Sequence, residues 1–396
     1  MTSADVARQI VVAISGENRE AMFERLLDRL GHHAPEVVAR WAIEGETEGP
    51  VNVHLVELAT PPAPELIERL NAEPGVVVER NGGMASAARP NDTLYAEQWA
   101  LERMSAEPAW DCVVAAGSTS PVRIAVIDSG IAQNHQDLSA RVDPLSRGFA
   151  HGPGGGSAED QDGHGTFLAG TIGAITDNAR GVASTTRPIT VRLLALKFYN
   201  PWTPLTWAHA AQAIAFAVVR HARVINASWH IGMDSQILRL HVAFAALNDV
   251  VFVAAAGNEG TNNDELPVWP ASYPLPNVIS VMASRKPSVN VIDNFDDRPG
   301  FSNYGPATVH IAAPGTRILS THYYLNALPP RYRNYAGTSA AAAHVSAAAA
   351  VVRALRPGWS ANHVRAHLMA SVDPSPYLKC LAGGRLNLRK AFCNLP

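Results

Sequence analysis

From residue 121 onward, short and nearly unbroken apolar runs alternate with stretches of helical periodicity, and that alternation leaves few folds open. The runs fall at 122–127, 190–196, 224–228, 250–255 and 278–282, with helical segments at 164–175 and 207–221 among them. A strand that faces water on one side alternates apolar with polar residues, whereas one without a polar phase is covered on both faces. Such runs separated by helices predict an α/β fold, a parallel sheet with helices on both faces. Ligands of these sheets bind beyond the carboxyl ends of the strands. Asp128, Ser228 and Asn258 each end or closely follow an apolar run, so the fold predicts that they meet along one edge.

Three punctuated motifs carry chemistry. Ile124-Ala125-Val126-Ile127-Asp128-Ser129-Gly130 reads as a buried strand ending on a carboxylate and turning. Asp162-Gly163-His164-Gly165-Thr166 sets a histidine between glycines at the start of an apolar helix. Gly337-Thr338-Ser339 opens a long alanine-rich helix that stops at Pro357-Gly358. A serine hydroxyl is a weak nucleophile at neutral pH; it needs a base, and the base needs an anion to hold its tautomer. Singly, an Asp after a strand is a common turn residue and a Ser at a helix start a common cap. Together they make a nucleophile, a base and an orienting acid.

The chain order Asp128, His164, Ser339 is that of subtilisin, not of chymotrypsin or the α/β-hydrolases, and no G-x-S-x-G surrounds Ser339. The chain resembles the subtilisin-like serine proteases. Ala254-Ala255-Ala256-Gly257-Asn258-Glu259-Gly260 is similar to that family's oxyanion segment, with Asn258 as side-chain donor. Phe301-Ser302-Asn303-Tyr304-Gly305 and Ala313-Pro314-Gly315 match two of its loop signatures. Asn91-Asp92 through Trp99-Ala100-Leu101 and Ala109-Trp110-Asp111 resemble the start of a mature enzyme. The resemblance implies a serine endopeptidase working through an acyl-enzyme, with no cofactor in the chemistry and a protein or peptide as substrate. It also implies that Ser228-Trp229-His230 pairs with an extended peptide, with glycine usual where His230 stands. Ala254, Ala255 and Gly257 would wall the primary pocket and Val268 its base; valine in place of a frequent glycine predicts small or medium apolar residues before the cut.

Departures from the pattern are few. Ala340-Ala341-Ala342-Ala343 replaces Met-Ala-x-Pro, and Phe167 replaces a histidine. Asp137 matches a calcium-ligand position, but the partner loop at 176–182 looks short, and calcium takes about six to eight oxygens. Calcium is therefore an open expectation. No H-E-x-x-H or paired-cysteine spacing supports zinc.

Residues 9–80 read as strand, helix, strand, strand, helix, strand, the split pattern of a ferredoxin-like α+β domain. Placed before a subtilisin-like region, residues 1–87 resemble the family's propeptide, a folding aid and intramolecular inhibitor, followed by a catalytic domain at 88–396. The small-residue segment 81–90 is the natural linker and, by the resemblance, the place of self-cleavage. Two other readings stay open: a processing protease dedicated to one precursor peptide, and a catalytically silent binding protein whose first domain plugs the cleft.

Composition removes other classes. Of 396 residues, 47% are hydrophobic and 17% charged, and the net charge is −3, which gives nucleic acid no basic surface to bind. The longest apolar stretches read as broken by His, Arg or Asn before the ~18 residues that span a bilayer, so a monomer without a membrane role is expected. Met1 to Ile14 lacks the apolar core of a signal peptide, leaving an intracellular protein or one whose signal has been removed. Among three cysteines, Cys380 and Cys393 are candidates to pair across the tail, and Cys112 reads as buried filler.

Overall fold

The structure is a computed structural model that describes residues 9–15, 18–43, 51–60, 62–80, 89–117, 119–149, 156–199, 206–285, 296–323 and 331–395. The chain forms two compact units, Met1–Ala85 and Ser86–Pro396. The expected linker and cleavage segment falls, at 81–88, outside the described residues.

The first unit runs β1 (Gln9–Ile14), α1 (Arg19–Arg29), β2 (Glu36–Ile43), β3 (Val51–Glu57), α2 (Pro64–Asn71) and β4 (Val76–Arg80). Its sheet has the order β2-β3-β1-β4 with every pair antiparallel, as the split β-α-β-β-α-β pattern requires. Period-2 alternation turns Ile10, Val12 and Ile14 to one face, where Phe23 and Leu26 of α1 and Leu30 at its end cover them. Pro64 opens α2, where a missing N–H costs nothing.

The second unit begins with two short helices, α3 (Trp99–Arg103) and α4 (Ala106–Ala115), and then enters the sheet at β5 (Val122–Asp128). There follow β6 (Arg147–Gly148), α5 (His164–Gly173), β7 (Val191–Lys197), α6 (Trp207–Val219), β8 (Val224–Ala227), α7 (Gln236–Leu247), β9 (Val251–Ala255), β10 (Val278–Ser284) and β11 (Ile311–Pro314). A hairpin of β12 (Ile318–His322) and β13 (Arg331–Tyr335) precedes the central helix α8 (Thr338–Leu355). The chain ends with α9 (Ala361–Ala370), β14 (Val372–Pro374), β15 (Gly384–Leu386) and α10 (Leu388–Cys393).

Nine strands form one sheet in the order β14-β15-β11-β10-β9-β8-β5-β7-β6, parallel throughout except for β14 against β15. Ile124 and Val126 enter one core with α5 and α8, whereas Ala125 and Ile127 enter the other with α6 and α7. The double coverage explains why these strands lack a polar phase. From β5 the chain adds β7 on one side and later β8 on the other, so the strand order reverses at β5. Ligand crevices open at such a reversal. Asp128 ends β5 and Ser228 follows β8 there.

Every residue of α8 is buried, and its alanines let it approach both the sheet and α5 closely. With 18 residues and mean hydropathy 1.3, the helix is long and apolar enough to cross a bilayer, against the expectation that no stretch would be. Its burial inside the fold identifies it as a core helix. The cysteine pairing also differs from expectation: Cys112 of α4 is bonded to Cys393 of α10, and Cys380 stays free and buried. Packing of α10 onto α4 brings together cysteines 281 residues apart, a proximity that spacing along the tail could not show.

Candidate active site

Asp128 ends its strand with the carboxylate fully buried, and Oδ1 lies 2.8 Å from His164 Nδ1. The same oxygen accepts the Ser129 N–H at 2.8 Å. The close approach of α5 depends on Gly165, where a Cβ would come within 2.1 Å of the Gly130 carbonyl and 3.2 Å of Asp128 Cβ. The turn before His164 is organised by Asp160, whose carboxylate accepts from the N–H groups of Asp162, Gly163 and Thr166 and from the Thr166 hydroxyl. Burial on its own would lower the His164 pKa. The Asp128 carboxylate, by charge and hydrogen bond, with Asp162 and Asp160 behind it, outweighs burial and leaves the pKa raised.

Ser339 lies in the first turn of α8, where backbone N–H groups have no partner within the helix and the helix dipole presents its positive end. Its hydroxyl donates to the Ser228 carbonyl at 3.1 Å and is not hydrogen-bonded to His164. The reciprocal contact, Ser228 Oγ to the Ser339 carbonyl at 3.0 Å, fixes the two segments together. Gly315 lets β11 pass close enough for its carbonyl to hold Gly337 N at 2.8 Å; a Cβ there would strike Ala283 Cβ at 2.4 Å.

Asn258 is oriented by its carbonyl end. Oδ1 accepts from Thr338 N at 2.9 Å and from the Thr338 hydroxyl at 3.0 Å, which leaves the amide N–H₂ as the free donor. Asn303 supports this loop: its Oδ1 accepts from Glu259 N and Thr261 N, and its backbone N–H donates to the Gly257 carbonyl. The Phe301-to-Gly305 signature thus has a physical role, since Asn303 is the buried hub of the Asn258 loop.

The remaining substrate-segment residues divide. Ala254, Ala255 and Gly257 are buried at the end of β9 and just beyond it. The Trp229 side chain turns into the core, donating to the Ile127 carbonyl at 2.9 Å and packing on Phe198, so only its backbone is available to a ligand. His230 stays at the surface, 3.1 Å from Glu259. Val268 is half-buried against the second core, beside the Ile231–Trp269 bridge. Phe167 is buried against Tyr335, whose ring meets that of His164 in a T-shaped contact.

Asp137 is fully buried and accepts from Asn178 Nδ2 at 2.8 Å, Val182 N at 3.1 Å and the Tyr332 hydroxyl at 2.9 Å. The 176–182 loop therefore does reach around it. Asp92 lies against the same loop, with Oδ2 taking Asp177 N at 2.9 Å and Oδ1 buried without a partner. Its pKa is raised by burial first, then by the charges of Asp177 and Asp137. An orphaned buried carboxylate oxygen among like charges suits a hard cation.

Sequence reasoning missed Asp160, Tyr199, Glu259 and Thr338. Asp160 stands two residues before the Asp162-to-Thr166 motif, and Glu259 and Thr338 lie inside quoted motifs without a role assigned to them, so position was a usable signal for all three. Tyr199 carried none: it follows β7, and only the pairing of Asp128 with Lys197 sets it beside the triad carboxylate.

Comparison with known proteins shows what the chain is similar to. The pattern of the Subtilase family matches residues 119–387. Thermitase of Thermoactinomyces vulgaris is 31% identical over 304 residues, 76% of this chain and 98% of that protein. Subtilisin Savinase of Lederbergia lenta is 33% identical over 294 residues, 74% and 97% of the two chains. Among solved structures, a protease from Pseudoalteromonas arctica PAMC 21717 matches with a TM-score of 0.65 at 26% identity, covering 78% of this chain and 99% of its own. The class is that of the subtilisin-like serine endopeptidases. The chain belongs to the subtilase family.

Proposed function

We propose that the chain is a self-processing proenzyme whose second unit cuts peptide bonds through an acyl-enzyme on Ser339. The observation that carries this reading is the Asp128–His164 pair, 2.8 Å apart, at the same strand edge as a serine on the first turn of a buried helix. Attack requires the Ser339 hydroxyl to leave the Ser228 carbonyl and turn to His164 Nε2. Catalytic hydrogen bonds are often loose without substrate and tighten in the complex. His164 takes the proton as Oγ bonds to the carbonyl carbon, and Asp128 stabilises the imidazolium. The oxyanion accepts from the Asn258 amide and Ser339 N–H. Collapse breaks the C–N bond, with the proton passing from His164 to the leaving amine. Water then repeats the sequence to free the acid.

The first unit is the candidate propeptide, inhibiting until the 81–90 segment is cut. Its support is the β-α-β-β-α-β order directly ahead of the catalytic unit. A half-buried Val268 favours small or medium apolar residues before the cut. Calcium, where bound, would rest on the carboxylates of Asp92 and Asp137, because Asn178 turns its Nδ2 to Asp137 and its Oδ1 to Arg180 N.

Intact masses of the full chain and of Ser339→Ala, followed over time, test the reading. Clipping between about residues 84 and 90 in the unsubstituted chain alone is the expected result. Equal clipping of both chains would remove Ser339 from its role.

A further inference from the structure

A second polar cluster lies at the opposite edge of the sheet from the catalytic residues. His310 immediately precedes β11, and Pro274 to Pro276 lead into β10. Both strands run parallel to β9, so these residues stand at amino ends in a sheet whose carboxyl ends carry the crevice. Arg365 reaches them from α9, with Nη1 donating to the Leu275 carbonyl at 3.2 Å and Nη2 lying 2.8 Å from His310 Nε2. Arg365 and His310, with Tyr273, Pro274, Pro276 and Met369, line an open cavity of about 650 Å³. Small-molecule sites measure about 300–1,000 Å³.

The polar groups of this cavity do not satisfy one another. His310 is buried, and burial first, then the Arg365 charge, pushes its pKa down to about 3, so the ring is neutral at neutral pH. A neutral imidazole has a single acceptor nitrogen. The Ser280 N–H takes Nδ1 at 2.8 Å, which leaves the ring proton on Nε2, facing another donor. Arg365 in turn has no carboxylate partner among the described residues, and burial alone lowers its pKa. Two donors and an uncompensated charge thus converge on one open cavity, and an anion there would accept from both.

We propose that this cavity binds a carboxylate carried on an apolar body, the chemistry of a small aliphatic acid or of the free C-terminal end of a peptide that finishes on an apolar residue. The guanidinium fork matches the two oxygens of a carboxylate. Pro274, Pro276 and Met369 offer the apolar body a surface that a bare inorganic anion would leave wet. The site is separate from the chemistry, since none of its lining residues shares the cleft beside His164.

Calorimetric titration of the full-length Ser339→Ala chain, used so that neither chain nor probe is cut, tests the site. The probes are N-acetyl-leucine, isovalerate, N-acetyl-leucinamide and inorganic phosphate. The expected result is saturable binding of N-acetyl-leucine with a Kd of about 1 mM or tighter, and none of the amide, which lacks the carboxylate. Isovalerate binding equally well assigns the site to small aliphatic acids, and its failure beside a binding N-acetyl-leucine assigns it to a peptide end; either supports the site. Arg365→Met and His310→Asp, each placed in the Ser339→Ala chain, should weaken N-acetyl-leucine at least about tenfold, the loss of a hydrogen bond to a charged group. His310→Asp keeps an acceptor for the Ser280 N–H and gives Arg365 a partner within the chain, so where Arg365→Met fails to fold it decides alone. Undiminished binding in the variants, equal binding of the amide, or no binding of either carboxylate would overturn the site. Phosphate binding as tightly as N-acetyl-leucine would overturn the apolar body as part of the ligand. None of these readouts uses catalysis, so the outcome is independent of the protease reading.

Discussion

The Tyr199 hydroxyl donates to Asp128 Oδ1 at 3.3 Å, the same oxygen that holds His164 at 2.8 Å. Three donors, counting Ser129 N, therefore share one oxygen of the Asp128 carboxylate. The Ser129 N–H and the Tyr199 hydroxyl each draw part of its charge away from the imidazole. Burial and the charge of Asp128 hold the Tyr199 hydroxyl protonated, its pKa pushed well up, so it acts only as a donor.

His164 must be neutral to accept a proton, and its pKa is raised above the ordinary 6.5. kcat/KM is therefore expected to fall as pH drops through a value above 6.5, not below it. In Tyr199→Phe one donor is lost, Asp128 bears more fully on His164, and the acid limb moves further up. Well above that limb, kcat/KM should stay within about threefold, since no group touching the reacting atoms is removed. An acid limb that stays in place or moves down would show that Tyr199 does not act through Asp128.

The Cys112–Cys393 bond closes nearly the whole second unit into one loop, which makes the bond a stability element. Chain-entropy arguments assign so long a loop up to about 5 kcal/mol, with native removals costing about 2–5 kcal/mol. Replacing both cysteines by serine should lower Tm by about 5–10 °C, and reductant should lower the unsubstituted protein toward the same value. Thiol titration of the denatured, unreduced chain should find one free thiol, that of Cys380. A count of three would dissolve the pairing.

How far the sequence alone reached depended on whether a contact was local. Runs such as Ile124 to Asp128 announced buried parallel strands because both faces are covered, and the motif order singled out Asp128, His164, Ser339 and Asn258 as candidates. The two-residue β6 and the three-residue β14 and β15 are too short for any periodicity to register. Tyr332 and Tyr335 reach Asp137 and His164 only through the β12–β13 hairpin, whose partners lie far away in sequence. Trp229 has the same limit: that its side chain anchors in the core on the Ile127 carbonyl is a contact between strands that spacing could not show. The tail cysteines at 380 and 393 suggested a pair by spacing, and helix packing selected another.

Asp92 is a strained charge of the second unit, and it bears on calcium. Burial first, then Asp177 and Asp137, raises its pKa above 3.8. A carboxylate whose folded value exceeds its unfolded value binds extra protons when folded, so stability is lost as pH rises from about 3.8 through the raised value. At neutral pH the ionised Asp92 Oδ1 is buried beside like charges without a partner. A calcium ion on Asp92 and Asp137 would relieve that cost and, at about 100 times its Kd, would add about 2.7 kcal/mol by mass action. Calcium should then raise Tm over a chelator by about 5 °C at neutral pH, and by less in acid, where Asp92 is protonated. Asp92→Asn removes the buried charge while an amide oxygen can still accept Asp177 N. In chelator its Tm should equal or exceed that of the unsubstituted protein, and its calcium response should vanish. If the chelator leaves the Tm of the unsubstituted protein unchanged, no cation braces this loop. The raised pKa of Asp92 would then be a plain cost of packing the amino-terminal segment against residues 175–182.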